Sequence, residues 1–108
     1  MGDATLHVGN EDFDSTVLQS DVPVFVDFTA TWCPPCKRIA PFVDQLAKDY
    51  EGRAKVVKVD VDEGGEVAAK YGVQSVPTLM VFKKGQPVEV STGAIPKEMM
   101  ARMLDKHL

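Results

Sequence analysis

The chain has 108 residues, of which 44% are hydrophobic and 26% charged, and its net charge is −4. That length suits one domain spanning residues 1–108 that can bury a core without a structural disulfide or metal, and no apolar stretch approaches the roughly 20 residues needed to cross a bilayer. The acidic balance, with no basic cluster beyond Lys83-Lys84, excludes the electrostatic footprint of a nucleic-acid binder.

The opening Met1–Leu6 shows neither a basic segment nor the apolar stretch of an export signal, so the expected location is the cytoplasm; a monomer is expected. Thr5–Val8 reads as a short strand, and Asn10 as the N-cap of a helix through Phe13, Val17 and Leu18. Pro23 to Ala30 is a nearly continuous apolar run interrupted by Asp27, the pattern of a central strand covered on both faces. After Cys33, the residues Ile39, Phe42, Val43, Leu46, Ala47 and Tyr50 recur every three or four positions and predict one amphipathic helix ending near Gly52, with a kink at Pro41. Lys55 to Asp62 is β-branched at Val56, Val57, Val59 and Val61, which completes a right-handed βαβ unit. A short helix, Glu66 to Tyr71, closes at Gly72. Val76-Pro77 then leads into the strand Thr78 to Phe82, and Lys84-Gly85 turns the chain into an edge strand with Val88 and Val90. Pro96 opens a last helix, in which Met99, Met100, Met103 and Leu104 are expected to fill the core. The fold class is α/β: a central mixed sheet flanked by helices on both faces.

The chemistry is concentrated in Trp32-Cys33-Pro34-Pro35-Cys36, where the strand hands over to the helix. Two cysteines three positions apart at a helix start can close on each other with little backbone movement. Cys33 is the expected nucleophile, because at the N-cap its sulfur faces unsatisfied N–H groups and the positive end of the helix dipole, which stabilise a thiolate. Cys36, one turn in, is the expected shielded resolving thiol. Pro34 and Pro35 lack N–H groups that a first helical turn leaves unpaired anyway, although Pro34 also withholds a donor from the Cys33 sulfur. A zinc site is the competing reading of the pair, but zinc normally takes four ligands, and only His7 and His107, near opposite ends of the chain, could join the two sulfurs. Both histidines are read as surface residues, and no metal or other bound cofactor is expected. Asp27, just upstream in an apolar strand, would have its pKa raised by burial, while the pattern alone leaves a solvent-facing aspartate equally open.

These residues carry a resemblance. Val26-Asp27-Phe28, Ala30-x-Trp32-Cys33-x-Pro35-Cys36-Lys37, Ala40-Pro41, Lys58-Val59-Asp60-x-Asp62, Tyr71-Gly72-Val73, Val76-Pro77-Thr78, Phe82-Lys83-x-Gly85 and Gly93-Ala94 stand in the order and spacing of the thioredoxin family, so the chain resembles that family over nearly its whole length. The departures are Pro34, where the commonest motif has glycine, and Thr29, where many bacterial members carry tryptophan. The Cys-Pro-Pro-Cys variant is similar to that of some plant cytosolic thioredoxins and of tryparedoxins.

The resemblance implies the thioredoxin fold and reduction of protein disulfides, with electrons drawn from NADPH through a thioredoxin reductase. It implies that Asp27 is the general base for Cys36, and Lys58 in the neighbouring strand is a candidate partner that would limit the rise in the Asp27 pKa. It further implies a cis Val76-Pro77 bond beside the sulfurs, and a groove of Trp32, Gly72, Val73, Val76, Pro77, Gly93 and Ala94 in which an extended substrate segment makes strand-like hydrogen bonds. Two other functions remain open at this point: a disulfide oxidant or isomerase of the same fold, and a binding module whose groove matters more than its sulfurs.

Overall fold

The computed structural model describes residues 4–108, so residues 1–3 of the stretch read as lacking an export signal lie outside the described residues. Eight elements follow one another: β1 (Leu6–Val8), β2 (Val24–Thr29), α1 (Pro34–Asp49), β3 (Lys55–Asp60), α2 (Gly65–Lys70), β4 (Thr78–Lys83), β5 (Gln86–Thr92) and α3 (Lys97–Asp105). A single π-helical turn, Asp14–Leu18, lies between β1 and β2. The strands form one mixed sheet in the order β1-β3-β2-β4-β5. β3 runs parallel to both β1 and β2, whereas β4 runs antiparallel to β2 and β5. The β2-α1-β3 crossover between parallel neighbours is the expected βαβ unit.

Alternation along β2 divides the core in two. Phe25 faces a cluster with Ile39, Val43 and Leu46 of α1 and Met100, Met103 and Leu104 of α3. Val24, Val26 and Phe28 face the opposite cluster, with Phe13, Val17, Val67 and Phe82. Each face is therefore sealed by helical segments, which explains why β2 reads as a continuous apolar run. Asp27, in phase with Phe25, lies on the α1 side.

Two local expectations are corrected. Asn10 does not cap the segment that follows it. Its Oδ1 instead accepts the backbone N–H groups of Glu66 and Val67 at 3.1 and 3.2 Å, capping α2 across the fold. That leaves the Phe13–Leu18 region as one π-helical turn whose buried Phe13 and Val17 hold it to the sheet. Pro41 lies inside α1, which runs from Pro34 to Asp49. Met99 is 48% exposed rather than core, because the inward stripe of α3 is Met100, Met103 and Leu104. Gly72 closes α2 in a left-handed conformation (φ +70°), with Val73 N–H bonded to Ala68 O at 2.9 Å and Gly72 N–H to Ala69 O at 3.2 Å. That is the paired bonding of a Schellman cap.

Candidate active site

The end of β2, the start of α1 and the Val76-Pro77 turn meet at one corner of the sheet. Cys33 is the N-cap of α1, in extended backbone conformation, and its Sγ accepts the Cys36 N–H at 3.2 Å. The α1 N-terminus thus directs one of its unpaired donors at that sulfur, as the spacing predicts. Pro34 and Pro35 occupy the first turn, where their missing donors cost no intrahelical bond. Cys33 and Cys36 form a disulfide with Cα atoms 5.3 Å apart, and both pack with Ala30 against Val61 and Val76. In this oxidised state the two cysteines are equally shielded, each 3% exposed. The expected difference in accessibility is therefore not drawn by burial of the disulfide, and the asymmetry lies in the neighbours: Cys33 Sγ receives the helix N–H and lies 3.8 Å from Val76 O.

The Val76-Pro77 bond is cis. Trp32 is 63% exposed, and its Nε1 donates to Asp62 Oδ2 at 2.9 Å, which orients the indole over the surface beside the sulfurs. Asp60 supports this loop, since its Oδ1 accepts the backbone N–H groups of Asp62 and Glu63 at 2.8 and 3.3 Å. Trp32, Val73 and Val76 come together in one shallow depression, joined by Val61, Gln74 and Ser75. Of the remaining groove residues, Gly72 serves the α2 cap. Gly93 (φ +95°) gives its N–H to Pro77 O at 2.8 Å, Ala94 is exposed and Pro77 is buried, and none of these four lines the depression. Val61, Gln74, Ser75 and Asp62 escaped the sequence reading. Asp62 alone had left a signal, as the last residue of the Lys58-Val59-Asp60-x-Asp62 motif.

Asp27 is 1% exposed, and its Oδ1 has no hydrogen-bond partner. Burial pushes its pKa from 3.8 up to about 7; the Lys58 ammonium draws it down and the Asp44 carboxylate pushes it further up. The carboxyl therefore changes charge within the physiological range. Lys58 stands in register with Asp27 across β2 and β3, yet its ion pair is with another residue: Nζ lies 3.3 Å from Asp44 Oδ1 on α1. Lys58 thus acts on Asp27 through its field rather than as a bonded partner, a correction to the expected pairing. His107, expected to be an ordinary surface residue, lies with Nε2 3.0 Å from Glu89 Oε2. Among the described residues there is no group of three or more His, Cys, Asp or Glu side chains that could hold a metal ion, and no helix is long and apolar enough to cross a membrane.

A family model described as Thioredoxin matches residues 4–106. A relative named Thioredoxin from Staphylococcus aureus is 57% identical over 105 residues, covering 97% of this chain and 99% of its own. Thioredoxin 1 of Nostoc sp. is 52% identical over 105 residues, 97% of this chain and 98% of its own. A thioredoxin of Synechocystis sp. is 49% identical over the same length.

Proposed function

The chain belongs to the thioredoxin family and is a thiol-disulfide oxidoreductase of the protein-disulfide reductase type, and from that premise we propose how its residues divide the work. Reduced Cys33, as thiolate, attacks one sulfur of a substrate disulfide; a Cys33–substrate disulfide forms and the other substrate sulfur leaves as a thiolate. Cys36 then gives its proton to Asp27 and attacks Cys33 Sγ. The Cys33–Cys36 disulfide forms, and the second substrate sulfur leaves reduced. Two electrons have passed from protein to substrate.

The observation that carries this reading is the Cys36 N–H aimed at Cys33 Sγ from the start of α1, a donor placed to stabilise negative charge on that sulfur. A base with a pKa of about 7 is half ionised at neutral pH, so it can accept a thiol proton and release it again. The exposed Trp32 with Val73 and Val76 is the docking surface for an extended substrate segment, and the Val76 and Gly93 backbone flanks it. The other proposed parts of the account are a single-domain monomer in the cytoplasm and re-reduction by a thioredoxin reductase drawing on NADPH.

The test is trapping. Cys36→Ser accumulates a mixed disulfide with substrate through Cys33, whereas Cys33→Ser accumulates none and reduces no substrate. A Cys33→Ser protein that retained reduction, or a Cys36→Ser protein that formed no adduct, would overturn the assignment. Full function in a host carrying the double-serine chain would favour the binding-module reading.

A further inference from the structure

One charged cluster outside the cysteine motif bears on the reaction. Strand register sets His7, Lys58 and Asp27 side by side on β1, β3 and β2, and helix α1 covers that face with Asp44. The Lys58 side chain is only 14% exposed, so its ammonium needs a compensating carboxylate. Two are within its field, and it pairs with Asp44 at 3.3 Å. Thr5 Oγ1, from just before β1, donates a 2.9 Å hydrogen bond to the same Asp44 oxygen. Asp27 Oδ1 is left without a hydrogen-bond partner.

The choice has a physical reason. Asp44 retains 36% side-chain exposure, whereas Asp27 is 1% exposed. An ion pair at a half-hydrated helix face gives up less hydration than one sealed in the sheet. We propose that Asp44, oriented by Thr5, is a positioning residue for the redox reaction: it holds the Lys58 ammonium off Asp27, so that the buried carboxyl stays unpaired and ready to take the Cys36 proton. This rests on the reading of Asp27 as general base. Asp44 acts twice in the same direction, by occupying the cation and by adding its own negative charge above Asp27.

The charged groups acting on Asp27 are Lys58 from β3 and Asp44 from α1; His7 on β1 stands in register with Lys58, one strand further away, and β4 presents the apolar Leu79 opposite Asp27. The test follows the Asp27 carboxyl by carbon NMR in the oxidised protein, where the cysteines do not titrate, and the pH profile of disulfide reduction by the reduced protein. In Asp44→Asn the ammonium loses its ion-pair partner and turns to Asp27, and the Asp27 midpoint falls by about 1 pH unit or more, as for a carboxylate given an adjacent cation. Asp44→Glu restores the midpoint, Thr5→Val shifts it partway, and in a Lys58→Met background the effect of Asp44→Asn shrinks to less than half. An unchanged Asp27 midpoint in a folded Asp44→Asn protein would overturn the proposal. If the midpoint falls and the rate profile moves to lower pH with it, the positioning role stands. If the midpoint falls and the profile does not move, Asp27 is not the base and Asp44 has no part in the reaction, whatever its hold on Lys58.

Discussion

Asp27 connects stability to function, and Asp27→Ala measures the connection. Folding raises this pKa from 3.8 to about 7, so between those values the native state keeps a proton that the unfolded chain has released. By linkage, the folded protein loses stability as pH rises through that window, and the loss is complete above about pH 7. At about 1.36 kcal/mol per pH unit, a gap of about 3 units amounts to roughly 4 kcal/mol. Removing the carboxyl removes this penalty. The small cavity left by the alanine costs the same at every pH, so the prediction concerns the slope and not the absolute difference. Guanidinium chloride unfolding of the oxidised proteins at pH 4, 5, 6, 7 and 8, followed by Trp32 fluorescence, gives the two stability curves. The variant should gain on the parent by about 1 kcal/mol per unit from pH 4 to 7 and then level off. At pH 8 the accumulated gain corresponds to a midpoint shift of about 1 M at a typical guanidinium slope. A difference that stays constant across the range, or that grows toward acid, would refute the reasoning.

Other outcomes follow from single contacts. Asn10→Ala removes the long-range cap of α2 and should cost about 1 kcal/mol, with faster amide exchange at Glu66 and Val67 than elsewhere in the chain. Met100→Ala, at a fully buried position, should cost about 2–5 kcal/mol, whereas Met99→Ala should change the unfolding midpoint negligibly. Asp62→Ala releases the Trp32 indole, so kcat/KM for a protein disulfide should fall about fivefold, the equivalent of one hydrogen bond of about 1 kcal/mol. Reduction of a small disulfide that does not use the groove should keep its rate.

The parts of the fold legible in the sequence were those encoded by local periodicity. β2 and α1 carry unbroken apolar patterns because each is packed along its length, and the position of Cys33 followed from the α1 start those patterns define. What escaped was decided across the fold. Asn10 has the side chain of a local cap, but the donors it satisfies belong to residues more than 50 positions away. Met99 looks like its neighbours in composition and differs only by its angle around α3. Asp44 sits eight residues past Cys36 on a polar helix face that has no periodic signal, and only the folded chain places it against Lys58. The Trp32 contact with Asp62 likewise needs the β3–α2 loop to return to the active-site corner. Asp27 was half legible: its apolar strand suggested burial, and the sheet then enclosed it.

The central claim is that Cys33 and Cys36 work as a reversible dithiol, and their equilibrium reduction potential tests it most directly. The protein would be equilibrated in a graded series of thiol–disulfide buffers and followed by Trp32 fluorescence, with the double-serine protein as control. A single two-electron transition near about −270 mV, absent from the control, is the predicted result for a reducing member of this family. A transition near about −180 to −120 mV would make the chain an oxidant or isomerase, and no transition at all would contradict the redox account altogether.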